Sequence, residues 1–382
     1  MKLTSTVDIE FNPEIDDLGK GKKLRDGLSV ALQIGNTLWV ANDESISLER
    51  LCLIKDGKTG VYRYARDHQQ FSLSDYLVMP LPPSDDSTDL EEVDVEGLAY
   101  EDGYLWLVGS HSLKRKKPAL EDGVKEAHKQ LSKISTDDNR YLLARIPVVQ
   151  SNGMPALAKE DSQNGIKRFA AQLHGNAPGN DLTEALKEDR HLRSFLTIPG
   201  KDNGFDIEGL AVAGERIFLG LRGPVLRGWA LILEVILEDD PKQLATLTLK
   251  PIGPKRRLYR KHFLDLGGLG IRDLAVQGSD LLILAGPTMD LDGPVTLVRW
   301  PDGTAPEEES MVPAAQLQRV MEVPYGHGDD HPEGITLFAP DGSTANSILV
   351  VYDSASVARH IGGSTVAADV FLLPKTSEVK NI

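Results

Sequence analysis

The sequence contains almost no cysteine, since Cys52 is the only one in 382 residues. An internal disulfide framework and a metal site of several thiolates are therefore excluded, and a reducing compartment such as the cytoplasm is expected. No run of 18 apolar residues occurs, and the N-terminal MKLTSTVDIEFNP lacks the apolar core of a signal peptide. These absences predict a protein that neither crosses a membrane nor is exported.

Basic residues are also few. Lys and Arg number 42 against 57 Asp and Glu, which gives a formal net charge of −15. Phosphate backbones and anionic lipid surfaces require basic protein surface. We therefore expect neither nucleic acid nor a membrane as a partner, whereas a small molecule or a protein partner is compatible with this charge.

What the sequence does contain is one phrase written five times. Its copies begin at Asp26, Glu96, Glu208, Arg272 and Glu333, and they read DGLSVALQIGNTLWVAND, EGLAYEDGYLWLVGSH, EGLAVAGERIFLGLRG, RDLAVQGSDLLILAGP and EGITLFAPDGSTANSILVVYD. Each copy joins two apolar runs through a turn of Gly, Asp, Asn or Ser, which is typical of a β-hairpin. The starts are 70, 112, 64 and 61 residues apart, so the second unit carries extra length.

Further apolar runs complete a four-stranded unit. A third run follows each hairpin: SLERLCLIKDG, RYLLARIPVV, WALILEVILED, VTLVRWPDG and ADVFLLP. A fourth precedes the next hairpin: SDYLVMPLP, RSFLTIP, KHFLDL and QRVMEVP. Radial repetition of such units predicts an all-β fold, a β-propeller with five readable four-stranded blades. A degenerate sixth blade within residues 150–195 and a stacked or two-sheet all-β protein are the alternatives.

The ring needs a closing strand, and two insertions must be accommodated. The segment STVDIEF has no unit of its own and would supply the fourth strand of the last blade. We expect one propeller domain over residues 1–382, with insertions at 112–138 and 150–196. The first insertion has apolar residues at helical spacing: Val124, Ala127, Leu131 and Ile134. Asn180 or Asp181 would cap a helix in the second, which strand order places on the opposite face of the ring from the first.

The residues that open the inner strands are expected to converge. The first strand of each blade lines the central channel, and the end of the second strand emerges on the same face. The repeat starts therefore surround the channel mouth: Asp26, Glu96, Glu208, Arg272 and Glu333. The strand ends lie beside them: Asn42, Asp43, Ser110, His111, Arg222, Pro287 and Asp353. Carboxylates this close repel one another unless a positive charge compensates them.

Three arrangements could relieve that repulsion. Ca²⁺ or Mg²⁺ would be coordinated by the acidic residues of the first set, Asp26, Glu96, Glu208 and Glu333. Arg222 and Arg272 could instead bridge the carboxylates, or each Glu could accept backbone N–H groups from the next blade. The loop HGDDHPEG before the last hairpin is a weaker metal candidate.

Several phrases together resemble a bacterial family known only as domain of unknown function 3616: DIEGLAV, LGLRGPV, LGGLGIRDLAV, LILAGP and HPEGITLF. The resemblance spans about Asp26 to Pro374 and implies a β-propeller without an assigned activity. More distantly, EGLA and DGLSV look like the strand openings of gluconolactonase, regucalcin and phytase-like esterase propellers. Those families bind a divalent cation through such acidic residues, which implies that role for Asp26, Glu96, Glu208 and Glu333. The blade count and the two arginines depart from the lactonase pattern.

These features favour a small-molecule site at the channel mouth. The expected function is binding or hydrolysis of an anionic ester, phosphoester or lactone, with a divalent metal polarising the ester. His111 or Glu96 would be the general base, and residues 112–138 would form a lid. The substrate would be held by Arg222, Arg272, Ser110 and Asp353. The alternative is a non-catalytic propeller that binds a protein partner around a structural ion or salt-bridge network.

Overall fold

Each of the five predicted hairpins is present, and each begins a sheet. The computed structural model describes residues 5–19, 21–55, 62–80, 92–163, 165–175, 178–340, 345–374 and 380–381. Before the first hairpin lie three strands: β1 (Ser5–Glu10), β2 (Asp17–Gly19) and β3 (Lys22–Lys23).

The blades follow in chain order. Blade one contains β4 (Leu28–Ile34), β5 (Thr37–Asn42), β6 (Ser47–Lys55) and β7 (Tyr62–Ser72). Blade two and its insertions contain β8 (Val95–Glu101), β9 (Tyr104–Gly109), β10 (Lys114–Arg115), α1 (Val124–Ser132), β11 (Ile134–Ser135), β12 (Leu143–Ser151), β13 (Met154–Leu157), β14 (Glu160–Gln163), β15 (Ile166–Phe169), β16 (Ala171–Leu173) and α2 (Asp181–Leu186). Blade three contains β17 (Asp206–Ala213), β18 (Arg216–Leu226), β19 (Trp229–Asp239), β20 (Thr246–Leu249) and β21 (Arg260–Asp265).

Blades four and five complete the chain. Blade four and its excursion contain β22 (Gly270–Gln277), β23 (Asp280–Gly286), β24 (Val295–Trp300), β25 (Ser310–Val312) and β26 (Gln318–Val323). Blade five is followed by one short strand: β27 (His331–Phe338), β28 (Ser347–Asp353), β29 (His360–Ile361), β30 (Thr365–Leu372) and β31 (Lys380–Asn381). Short 3₁₀ helices occupy Leu24–Asp26, Leu73–Asp75, Leu120–Asp122, Asp138–Arg140, Gly200–Asp202, Pro254–Arg256, Ala314–Gln316 and Val357–Arg359. Within the described ranges, neither α-helix has the length and apolarity needed to span a membrane.

The inner strands form a closed ring of five. β4 contacts β8, β8 contacts β17, β17 contacts β22, β22 contacts β27, and β27 returns to β4. The predicted all-β propeller with five blades is therefore confirmed. The segment in which a sixth blade was considered instead supplies β13 to β16 and α2 to blade two and its insertions.

The N-terminal strand closes the ring, as predicted. β1 pairs antiparallel with β30, in a register from Ser5 opposite Val370 to Glu10 opposite Thr365. It also pairs in parallel with β7, the outer strand of blade one. β1 is thus the outer strand of blade five and joins that blade to blade one.

Hydrophobic cores fill the spaces between neighbouring blades. Five clusters of buried side chains are present, and each draws its residues from two adjacent blades. Trp39 of blade one and Leu107 of blade two, for example, are both fully buried in the same cluster. Burial of about 25 cal/mol per Å² of apolar surface between blades is the main stabilising term of such a ring.

A β-bulge lies near the start of every inner strand. At that point the pairing register skips one residue, which is Ser29, Glu96, Glu208, Arg272 or Glu333. A bulged residue has no ladder partner, so its side chain is turned out of the regular alternation. Three of the bulges are followed by glycine because the next blade is too close for a side chain. A Cβ added at Gly97 would lie 2.5 Å from the Cβ of Leu210.

Two predicted outer strands were placed wrongly. The outer strand of blade one is β7, not the apolar run SDYLVMPLP that follows it. In blade two the outer strand is β16, whereas RSFLTIP belongs to a turn-rich segment after α2. Because β16 runs back toward the channel mouth, α2 lies on the mouth face and not on the opposite face. The predicted helices themselves are confirmed, with Asn180 as the cap of α2.

We expect the ring to depend on β1. Removing residues 1–12 should unfold the protein or sharply lower its melting temperature, because the exposed edge of β30 loses its partner. Ile9→Ala truncates a side chain with no exposed surface and should cost about 2–5 kcal/mol of unfolding free energy. Thr6→Ala, at an exposed position of the same strand, is the control. Thermal and urea denaturation measure both, and unchanged stability after the deletion would contradict closure by β1.

Candidate functional site

The bulged residues of blades three, four and five are joined by ion pairs. Arg272 Nη1 lies 2.8 Å from Glu208 Oε2 and 3.3 Å from Glu333 Oε1. Blade four lies between blades three and five, so its arginine reaches a glutamate on each side. Among the bulged residues, Arg272 is the one arginine. It thus supplies the positive charge that the neighbouring Glu208 and Glu333 need.

A second arginine completes the pairing from within blade three. Arg222 of β18 places Nη2 2.6 Å from Asp206 Oδ2 and Nη1 2.6 Å from Glu208 Oε1. Glu208 therefore receives both guanidinium groups, and Arg222 and Glu208 are only 6% and 3% exposed. We call Asp206, Glu208, Arg222, Arg272, Glu333 and Glu96 the mouth cluster.

The motif Asp-x-Glu-Gly also occurs in blade two, where its first acid again pairs with an arginine. Asp94 opens DVEG as Asp206 opens DIEG, and Asp94 Oδ2 lies 2.8 Å from Arg140 Nη1. Arg140 also donates to Ser112 and, at 3.4 Å, to the hydroxyl of Ser110. Ser110, predicted to bind substrate, is 1% exposed and belongs to this supporting network. The first acid of the repeated phrase was not assigned a role from the sequence, although its recurrence was the available signal.

Charge balance in the mouth cluster is met partly by protons. Four carboxyl groups face two guanidiniums, so two carboxyl groups have no countercharge. Burial raises the pKa of Glu333 to about 8, and Arg272 opposes that rise. Burial also raises the pKa of Asp206 to about 6, against the opposing effect of Arg222. The arrangement therefore favours a protonated Glu333 at neutral pH.

Glu96 is the member of the cluster without a partner. Among the described residues it forms no hydrogen bond or ion pair, and its side chain is partly exposed. Its ring neighbours explain this, because blade one presents Ser29 and the Glu208 of blade three is already paired twice. Burial raises the pKa of Glu96 well above its ordinary value, and the charges of Asp94 and Glu208 add to the effect.

Blade one does not contribute the predicted Asp26. The bulge places Ser29 at the position of the glutamates, three residues after Asp26. The Asp26 side chain is 39% exposed and lies 3.6 Å from Arg25 and 3.7 Å from His360. Its alignment with the glutamates was wrong because Asp-Gly was matched to Glu-Gly, whereas counting back from the last strand pair before the hairpin turn makes Ser29 the equivalent of Glu96. Ser29 Oγ instead donates to the Val95 carbonyl of blade two at 2.7 Å.

His111 is also placed differently from the prediction. Its ring is 3% exposed, Nδ1 donates to the Gly109 carbonyl at 2.7 Å, and Nε2 accepts from Asn180 Nδ2 at 2.7 Å. Burial lowers the pKa of His111 to about 4. A neutral ring with both nitrogens occupied anchors the start of α2, and it does not fit the predicted role of general base.

A ring of polar residues surrounds the cluster. Asp353 receives hydrogen bonds from Ser354, and His331 lies between Asp353 at 4.0 Å and Asp292 at 3.2 Å. The exposed ammonium of Lys201 interacts electrostatically with Glu333 and Asp353. Lys201 was not predicted, because it lies in a 3₁₀ turn before blade three that no repeat marks.

Carboxylates also fasten one blade to the next. Asp273, which follows the bulge of blade four, is 1% exposed and accepts the Ile335 N–H of blade five at 2.7 Å. It also accepts the N–H of Leu274 at 2.7 Å. The predicted hydrogen bond from a backbone N–H of the next blade to a carboxylate therefore exists, but the carboxylate is that of Asp273 and not that of a bulged glutamate.

The mouth cluster does not fit a divalent cation in this arrangement. Glu208 is held by two guanidiniums, Glu333 by one, and Asp26 lies elsewhere. Over the described ranges, no three His, Cys, Asp or Glu side chains are grouped so that they could hold a metal ion. The arginine-bridged alternative is the one that these contacts support.

The first insertion lies on the mouth face, since β9 ends there and β12 begins there. Its base is a hairpin of β10 and β11. Lys114 pairs with Glu92 and Asp137, and Arg115 Nε lies 2.6 Å from Asp202. Lys114 and Arg115 thus attach the insertion to the ring, which restricts any lid motion.

Comparison with known proteins identifies a family but no activity. The chain matches the family described as protein of unknown function (DUF3616) over residues 27–369. No curated protein matches the sequence.

Similar solved structures share little sequence with this chain. The PQQ-bound aldose sugar dehydrogenase of Streptomyces coelicolor is 12% identical, with 91% of this chain and 95% of that chain covered and a TM-score of 0.32. Hsv2 of Kluyveromyces lactis is 9% identical, with 88% and 78% covered and a TM-score of 0.27. Apo AztD of Citrobacter koseri is 11% identical, with 93% and 94% covered and a TM-score of 0.26. Similarity at this level says nothing about the residues of the mouth.

Arg222 should be essential for stability. Arg222→Ala leaves Asp206 and Glu208 buried without their shared cation, so we expect a loss of about 3–5 kcal/mol of unfolding free energy. Arg193→Ala removes an exposed arginine and should change stability by less than about 0.5 kcal/mol. In the same denaturation assay, Ca²⁺ or Mg²⁺ added to chelator-treated protein should leave the melting temperature unchanged. A metal-dependent rise in wild type with a stable Arg222→Ala variant would contradict the arginine-bridged cluster.

Stability should fall with rising pH because of Glu333. The unfolded chain releases this proton near its ordinary pKa of 4.5, whereas the folded protein holds it to about 8. The stabilising contribution is therefore complete below the unfolded pKa and is lost as pH rises through the folded pKa. Glu333→Gln imitates the protonated form, so its melting temperature should decline less over that interval than that of wild type. Glu307→Gln, at an exposed position, should keep the wild-type profile, and a parallel decline in both variants would refute the assignment.

Proposed function

The chain belongs to the family of proteins of unknown function DUF3616. Because membership assigns no activity, we propose from the mouth cluster that the protein binds and hydrolyses a small uncharged ester such as a lactone. Glu96 is the observation that carries this proposal. It is a partly exposed carboxyl group at the channel mouth, without a partner among the described residues and with a raised pKa. Perturbed acids in a concave site are typical of acid–base catalysis.

The state of the two arginines favours an uncharged substrate. Arg222 and Arg272, expected from the sequence to hold an anionic group, already pair with carboxylates at 2.6 to 3.3 Å. A phosphate would have to displace one of those carboxylates and leave it buried without a partner, which is costly. Hydroxyl and carbonyl groups can bond to the rim of the cluster without changing its charge.

Two carboxyl groups would supply the chemistry. Glu96 would act as the general acid that donates to the carbonyl or leaving oxygen of the ester, and its raised pKa favours the protonated form that this role needs. Glu333 has a pKa of about 8, so its ionised form, which predominates only above that pH, would accept the proton of the attacking water. Two carboxyl groups in different environments are a recurring basis for such a division of roles.

A second candidate function, the docking of a protein partner, has one observation in its favour. Apolar side chains of the first insertion face solvent, with Leu120 75% and Val124 71% exposed. Helix α1 is present as predicted, but only Ala127 of its predicted apolar residues is buried. Partner docking on this surface would not depend on Glu96, so the two functions can be separated by one variant.

Glu96→Gln should abolish hydrolysis without unfolding the protein. Proton release in a pH-stat, with a six-membered sugar lactone and its phosphorylated counterpart, measures the rate. We expect wild type to prefer the unphosphorylated lactone and Glu96→Gln to lower kcat by about 10²–10⁴-fold, the usual contribution of a general acid. Glu308→Gln, an exposed control, should behave as wild type.

Two results would count against the proposed function. A preference for the phosphorylated lactone would show that the arginines are available to an anion. Full activity in Glu96→Gln, or no hydrolysis of either lactone by a folded wild-type protein, would remove the catalytic role of Glu96 and leave partner docking as the better candidate.

A further inference from the structure

A serine and a histidine meet at the outer edge of blade three, away from the mouth cluster. The excursion between β24 and β26 crosses from blade four and adds β25 to that edge, in parallel pairing with β21. The pairing sets Ser310 opposite His262. Ser310 Oγ lies 2.8 Å from His262 Nδ1, while the serine is partly exposed and the histidine fully buried.

A buried glutamate holds the other side of the imidazole. His262 Nε2 lies 3.0 Å from Oε2 of Glu234, which has no exposed surface. Arg216 and Arg260 also pair with Glu234, at 3.2 and 3.5 Å, so the carboxylate serves as an acceptor. Nε2 must then carry the ring proton, and Nδ1 is left with a lone pair directed at the Ser310 hydroxyl.

Blade one contains the same glutamate–histidine pair without a serine. Glu49 Oε2 lies 2.8 Å from His68 Nε2, and His68 Nδ1 accepts the backbone N–H of Asn12 at 3.0 Å. The glutamate–histidine pair by itself is therefore a structural interaction that links the third and fourth strands of a blade. In blade three the Ser310 hydroxyl occupies the position that the Asn12 backbone N–H has in blade one. A hydroxyl next to the free lone pair of a histidine has the geometry of an activated nucleophile.

We propose that Ser310, His262 and Glu234 form a second catalytic site, in which Ser310 attacks acyl or phosphonyl esters. The position of Ser310 suits this role because β25 is the outermost strand of its sheet in the part of the chain that the structure describes. Alternate N–H groups along such an edge point away from the ladder and can stabilise an oxyanion. This inference is independent of the function proposed for the mouth.

The chemistry balances without a cofactor. Ser310 Oγ bonds to the carbonyl carbon of the ester as its proton passes to His262 Nδ1. The bond to the leaving alkoxide then breaks, and His262 returns the proton to that oxygen. Water, deprotonated by the same nitrogen, attacks the acyl-serine and releases the carboxylic acid and the free hydroxyl.

A fluorophosphonate is the direct probe. Its phosphorus bonds to Ser310 Oγ, and fluoride leaves with the serine proton, so the intact mass rises by one probe less HF. We expect one equivalent on wild type, located at Ser310 by peptide mass spectrometry. The rate should exceed that at Ser279 by about 10²-fold or more, because Ser279 is an exposed serine bonded to Asp302 at 3.0 Å without a histidine.

Variants separate catalysis from simple fastening. Ser310→Ala removes one hydroxyl and should lose all labelling while melting like wild type. Glu234→Gln keeps the size of the side chain and should slow labelling at least tenfold, and Glu96→Gln should label as wild type. Failure of folded wild type to label under conditions that label a known serine hydrolase would overturn the proposal, as would equal labelling of Ser310→Ala. Either result would leave the three residues with a structural role only, that of holding β25 against β21.

Discussion

Ring closure is the constraint on which the other features depend. Five inner strands around one axis bring the same strand position of every blade together, and a bulge at that position turns each side chain toward its equivalents. Identical acids there would repel one another, so the positions must differ. Arg272 and Ser29 are the two departures, and Glu96 lies next to the neutral one. The partnerless acid at the mouth is thus a result of blade order.

The fold was predictable from the sequence wherever burial imposes a pattern of apolar residues. Hairpins and third strands, apolar on both faces, were predicted within a few residues, as was the closing strand β1. Outer strands are more exposed to solvent and therefore less apolar. The outer strand β7, for example, has the sequence YRYARDHQQFS, which contains no apolar run from which a strand could be predicted. At the mouth, Glu96, Glu208, Arg222, Arg272 and Glu333 were assigned to one face correctly. Asp26 was misplaced because its Asp-Gly pair resembles the Glu-Gly of the other copies, although Ser29 holds the equivalent place relative to the hairpin turn. The pairing of arginines with particular acids depends on distances that repeat spacing does not contain.

The same ionisable residue types carry different roles at different radii of the propeller. At the mouth, carboxyl groups outnumber guanidiniums, and burial raises the pKa values of Glu96, Asp206 and Glu333. At the outer edges, one glutamate and one histidine join the third and fourth strands in blades one and three. Burial removes water from both places, so each polar group needs a protein partner. Glu96, which lacks a partner among the described residues, and His262, one of whose partners is a hydroxyl, are the groups on which the two proposed activities rest.

The pairing of β1 has a consequence for synthesis of the protein on the ribosome. The first three strands of each blade follow one another along the chain and can pair as they emerge. β1 precedes all five blades in the chain, yet its antiparallel partner spans Thr365–Leu372. Contacts of such sequence separation form slowly, and unpaired strand edges are prone to aggregation. Glu333 also joins Arg272 only when blade five is made, so the nascent chain must keep β1 unpaired and Arg272 without its second glutamate until blade five has emerged.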